Sequence, residues 1–124
     1  MPAPEQNISA DEERFFGHLL VEKYWPSERR AMLVHRFYLS TRLRRQASVE
    51  ETVGSWEGGI ARAWRRKKMR RDTQRQIREI ERHKYFLSQR RGEDIGWEAA
   101  AADWVKHHAG RWRDWWEQQP ESCP

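Results

Sequence analysis

Displaced by 48 positions, residues 35–66 align with residues 83–114 without a gap. His35, Leu39, Ser40, Arg42, Glu50, Trp56, Ala61, Trp64 and Arg65 recur as His83, Leu87, Ser88, Arg90, Glu98, Trp104, Ala109, Trp112 and Arg113. Ordinary composition gives about two such identities by chance. Arg36 with Lys84, Phe37 with Tyr85 and Tyr38 with Phe86 add conservative pairs. A fold that contains the same unit twice is therefore expected.

The unit reads as a helical hairpin. Val49, Val53, Trp56, Ile60 and Trp64 step by four, three, four and four, the spacing of one helix face, and Trp97, Ala101, Trp104, His108 and Trp112 repeat it. In the second copy, Arg91-Gly92 closes the first helix with a basic residue and a glycine suited to a left-handed C-terminal position. In the first copy, Ser48-Val49-Glu50-Glu51 is a capping box opening the next helix. Ahead of the repeat, Ser9-Ala10-Asp11-Glu12 opens a leading helix that Pro26 ends, after which Ser27 caps the first repeat helix.

The expectation is an all-α fold with about five helices, at 10–24, 28–46, 49–69, 73–91 and 97–118. They form one helical domain over 9–118: the leading helix, hairpin 27–69 and hairpin 73–118, with tails at 1–8 and 119–124. Lys67–Thr73 holds neither Gly nor Pro, so one long helix is an open alternative to the third and fourth. At 124 residues the chain is expected to hold a single core, and eight tryptophans supply it. No apolar run approaches the roughly 18 residues of a membrane span, and the first residues lack the pattern of a cleaved signal. One cysteine, Cys123, excludes an intrachain disulfide. A cytoplasmic location is expected.

Charge is unevenly distributed. The chain has 24 basic and 19 acidic residues, net +5; residues 62–91 hold thirteen basic and three acidic residues, net +10, leaving −5 elsewhere. Arg62, Arg65, Arg66, Lys67, Lys68, Arg70, Arg71, Arg75 and Arg78 would make one helix positive almost all round, a field that attracts an acidic protein surface or phosphates. Polybasic stretches also occur as plain solvated helices, and no finger, reading helix or aromatic sheet motif for nucleic acid is present. Trp115 and Trp116 are adjacent, point about 100° apart and cannot share one core; with Trp25 they are candidate interface anchors.

The repeated block of His, basic, two aromatics, Leu, Ser, any residue and Arg is the sharpest signature. It is read structurally: Ser40 and Ser88 bond helix-end carbonyls, Arg42 with Glu50 and Arg90 with Glu98 or Asp94 tie helix ends across each turn, and His35 and His83 brace equivalent helix ends. Glu79 with His83 and Asp103 with His107 are metal-compatible pairs, but Ala31, Ser55 and Gly59 stand in the other copy, so no metal site and no cofactor are expected. No nucleophile stands in a catalytic setting and no glycine-rich phosphate loop occurs; Gly54, Gly58 and Gly59 fall inside a helix, where they are read as allowing close approach of a neighbour.

The run from His83-Lys84-Tyr85-Phe86-Leu87-Ser88 through Gly92-Glu93-Asp94-Ile95-Gly96-Trp97, within residues 83–112, resembles a helical segment of uncharacterised bacterial proteins, including the C-terminal part of a kinase-like family of unknown function. The resemblance implies a bacterial helical module and no activity. Together the observations lead to a non-enzymatic accessory or adaptor subunit that binds a larger, acidic protein or multi-subunit complex. The alternatives are nucleic-acid binding through 62–91 and a metal-binding helical protein.

Overall fold

The computed structural model describes residues 23–124. The expected tail over 1–8 and the leading helix up to residue 22 lie outside the described residues. The described chain is all-helical, with no strand among the described residues. Helix α1 spans Pro26–Leu43. Helix α2, Val49–Ser55, passes through a π-helical turn, Trp56–Ile60, directly into α3, Ala61–Arg91. Helix α4, Trp97–His107, and α5, Ala109–Glu117, meet at His108, and a 3₁₀ turn follows at Pro120–Ser122.

Two boundaries depart from expectation, and one left open by the sequence is decided. Helix α1 starts on Pro26, with Trp25 at its N-cap, so Ser27 is not a cap but a fully buried residue of the first turn; proline fits there because that turn's N–H groups have no partner within the helix. Lys67–Thr73 lies within α3, as a segment without Gly or Pro allows. The expected 97–118 helix is broken at His108, whose φ of −129° leaves the helical region.

The described residues divide into two compact units with the boundary between Arg66 and Lys67. Each has its own apolar cluster, so the single expected core is replaced by two small ones. In the first, Tyr24, Met32, Leu33, Trp56 and Ala61 are buried, with Val49, Val53 and Trp64 packed against them. The Trp56 N–H donates to Glu28 Oε2 at 2.9 Å, and Arg65 Nε donates to the same oxygen at 2.9 Å. Tyr24 donates its hydroxyl to Glu57 at 2.8 Å, and burial, then that carboxylate, pushes its pKa up to about 12.

In the second unit, Ile80, Ala100, Trp104, Trp112 and Trp116 form the core, with Trp112 and Trp116 stacked at 5.7 Å. The Trp104 N–H donates to Gln76 Oε1 at 3.1 Å. Beside it lies a buried charge network. Lys68 Nζ is 2.5 Å from Glu117 Oε2, 3.0 Å from Asp72 Oδ1 and 2.9 Å from the Ser122 carbonyl. Asp72 also accepts from Arg113 at 2.6 Å and from the Trp116 N–H at 2.7 Å. Residues 119–122 of the expected tail are packed: the 3₁₀ turn delivers the Ser122 carbonyl to a buried ammonium, and Ser122 is itself buried.

Both turns between helices use the same backbone motif despite different sequences. Arg45 N–H donates to the Ser40 carbonyl and Arg44 N–H to that of Thr41, just as Glu93 donates to Ser88 and Gly92 to Gln89. This is a Schellman end, which needs one left-handed residue. Gly92 takes that role at φ 74°, and in the first unit Arg44 takes it at φ 57°. The serine hydroxyls then accept from the turn, from Ala47 N–H at 2.9 Å and Ile95 N–H at 3.2 Å. They close the turn by receiving an N–H rather than bonding a carbonyl.

Two outcomes are expected in chemical denaturation. Arg44→Gly should raise stability by about 0.5–1 kcal/mol, because a side chain in the left-handed region costs roughly 1–2 kcal/mol and glycine's extra freedom in the unfolded chain returns part of the gain. Lys68→Ala should lower it by about 3–5 kcal/mol, since Asp72 and Glu117 would lose a buried counter-charge. Its exposed neighbour Lys67→Ala should change it by no more than about 0.5 kcal/mol.

Candidate functional site

The basic residues of α3 are sorted by helix face. At about 100° per residue, Lys67, Arg70, Arg71 and Arg78 fall within an arc of about 100°, while Lys68, Asp72, Arg75, Gln76 and Glu79 fall on the opposite side. The first four are exposed, and no ion pair joins them to an acidic group among the described residues. Lys68, expected on the same surface, is instead only 6% exposed. Its ammonium is spent on Asp72 and Glu117, so it adds no field outside. Arg75 is half-buried, 3.6 Å from Glu79 and over the Trp116 ring. In the first unit, Arg62 and Arg66 are exposed. Arg65 pairs with Glu28 and Glu57, which raises its own pKa and lowers that of Glu57. Between Lys67 and Arg78, positive charge all round the helix is therefore corrected to positive charge on one face.

The aromatic candidates divide as well. Trp25 is 54% and Trp115 49% exposed, whereas Trp116 is 4% exposed and bonded to Asp72. Neighbouring positions on α5 point apart, and the stack on Trp112 selects Trp116 for the core. Trp97, expected on the core stripe, is exposed instead. It lines a shallow groove of about 480 Å³ with Glu81, Lys84, Tyr85, Ser88 and Asp94.

The expected ties Arg42 to Glu50 and Arg90 to Glu98 do not form among the described residues; all four side chains are exposed. The first turn is clamped by the Arg45–Glu51 pair, two bonds of 2.8 and 2.7 Å, which together with Ser48 hold the Glu51 carboxyl at about 2. In the second turn Asp94 accepts from Gly96 N–H at 2.9 Å and faces Lys84 at 3.6 Å. Gly54, Gly58 and Gly59 do not receive a neighbour: a Cβ on any of them would meet nothing within 4 Å. Gly58 and Gly59 lie instead in the π turn.

The paired histidines do lie at equivalent places, though they bond across to the second helix of their unit and not to a helix end. His35 Nε2 is 2.9 Å from Ser55 Oγ, and its ring is 5.9 Å from that of Trp56. His83 Nε2 is 2.6 Å from Asp103 Oδ2, and its ring is 5.8 Å from that of Trp104. Every partner is displaced by 48. In the second unit alone the cluster grows: His107 and His108 approach the same carboxylate, at 3.7 Å and 4.0 Å. The His83 bond holds the Asp103 carboxyl below its ordinary range. Of the metal-compatible pairs read from sequence, Asp103 with His107 is brought together and Glu79 with His83 is not, because Glu79 faces Arg75 and Arg82. His108 was missed, since it sits five residues beyond Asp103, off the face that an unbroken helix would share.

Burial, then the nearby Arg42 charge, lowers the His35 pKa. The ring is thus held neutral in the folded chain and binds a proton more readily in the unfolded one. That favours folding above the ordinary value near 6.5 and is lost as pH falls. Between pH 7 and pH 5 the wild type should lose more stability than His35→Gln, which keeps a hydrogen-bonding group without titrating; parallel curves would show that the ring is not held neutral.

Comparison with protein-family models, curated proteins and solved structures finds no match to this chain.

Proposed function

We propose that the chain is a tandem duplication of one helical hairpin and serves as a non-enzymatic adaptor, docking on an acidic surface of a larger protein or assembly. One observation carries the reading: Lys67, Arg70, Arg71 and Arg78 share one exposed face of α3 without internal counter-charges, while Lys68 and Arg75 on the opposite side are paired within their own unit. A buried cation stabilises its fold. An exposed cluster of like charge costs some self-repulsion and is relieved by an acidic partner.

Exposed tryptophans support the protein-binding reading over a phosphate-binding one. Trp115 presents half its surface on α5, and a large rigid ring of this kind is favoured in protein interfaces. The resemblance of residues 83–112 to helical segments of bacterial proteins accords with an appendage to larger assemblies. No described helix is long and apolar enough to cross a membrane.

Purification from the native host should recover a stoichiometric acidic protein with the wild type and not with a variant carrying Lys67→Glu, Arg70→Glu, Arg71→Glu and Arg78→Glu. Nuclease treatment should leave that complex intact. Release by nuclease, together with an affinity that drops by orders of magnitude between about 50 and 200 mM salt, would assign the same face to nucleic acid.

A further inference from the structure

We propose that the second unit binds one divalent transition-metal ion, with zinc the expected occupant, between His83 Nε2, His108 Nε2 and a carboxylate oxygen of Asp103. One ligand atom from each of the three residues lies within 4.8 Å of the other two. An ion held about 2.0–2.2 Å from each in tetrahedral geometry needs them roughly 3.4 Å apart. The observed separations from Asp103 Oδ2, 2.6 Å to His83 and 4.0 Å to His108, lie on either side of that spacing, and the two imidazoles are within 4.8 Å, so shifts of under about 1.5 Å complete the site. Two imidazoles and one carboxylate suit zinc and its first-row neighbours rather than magnesium or calcium.

The backbone is shaped to bring the third ligand in. His108 follows Asp103 by five residues, a separation that would carry it off the face of an unbroken helix. The chain leaves helical geometry at His108 itself, and the ring comes to 4.6 Å from the His83 ring. Core packing does not explain this approach, because the His108 side chain is half exposed. The Trp104 ring backs both imidazoles, at 5.8 and 5.5 Å, and is anchored through its N–H to Gln76, giving the site an apolar floor. The first unit lacks the ligands: Ser55 and Ile60 stand where Asp103 and His108 stand, so only one of the two units is equipped.

Zinc titration of the full, tag-free chain should show one equivalent bound, with no binding of magnesium under the same conditions. Cobalt(II) should give visible d–d bands of a low-coordinate imidazole site. His108→Ala and Asp103→Asn should each weaken zinc by at least about tenfold and abolish the cobalt bands, whereas His107→Ala should change affinity by less than about threefold and His35→Ala should leave the stoichiometry at one. Because His108 is exposed, its variant should keep the wild-type helical circular dichroism; should it not, His108→Gln replaces it. Absence of wild-type binding, unchanged affinity in the His108 variants, or a loss that follows His107 in place of His108 would overturn the assignment.

Discussion

Each unit is organised around an indole that has to satisfy two demands at once. Its ring, burying some 150–250 Å², contributes on the order of 4–6 kcal/mol at about 25 cal/mol per Å², and burying its N–H without an acceptor costs part of that gain. Trp56 and Trp104 meet both demands on the preceding helix, where Glu28 and Gln76 accept the N–H. That bond fixes the register between the paired helices. With the register set, the histidine two turns farther along the same face reaches position 55 or 103, and the serine at the helix end reaches the turn. Cores this small, of five buried apolar residues each, tolerate little slippage, so a directional bond at their centre does more than area alone would.

The repeated Arg65 and Arg113 show how far the two units have diverged around that shared frame. Each finds a buried carboxylate on the first helix of its unit, but not the equivalent one: Glu28 in the first unit, and in the second Asp72, which occupies the position of Tyr24 and lies one helical turn earlier. Where the first unit has a tyrosine hydroxyl at that place, the second has a charge. That charge collects Lys68, Arg113 and the Trp116 N–H into a network that fastens the end of the chain.

Much of this was legible in the residues and some was not, for identifiable reasons. The 48-residue offset located the histidines, serines and tryptophans that the structure places equivalently, and the Ser48 capping box forms as written. The acceptors of the two indoles fell just outside the aligned segment and differ in chemistry, Glu28 against Gln76, so they were not seen as a pair. Lys68 was grouped with its neighbours because composition counts charge without regard to face; only the position of Asp72 and Glu117 turns it inward. Arg44 carries no sign of a left-handed residue, and the tertiary fold imposes one on it.

The stripe read as Trp56, Ile60 and Trp64 fails at its middle member, and the failure bears on which positions are free to vary. The π turn makes Ala61, whose N–H bonds the Trp56 carbonyl, follow Trp56 into the core, and Ile60 is turned out. In the other copy the helix break does the same at His108. In two units built on one pattern, most positions of a small core are pinned by packing in both. A residue that the backbone has excused from packing in both can drift without loss of stability. Positions 60 and 108 are such places, and they carry an aliphatic side chain in the first unit and an imidazole in the second.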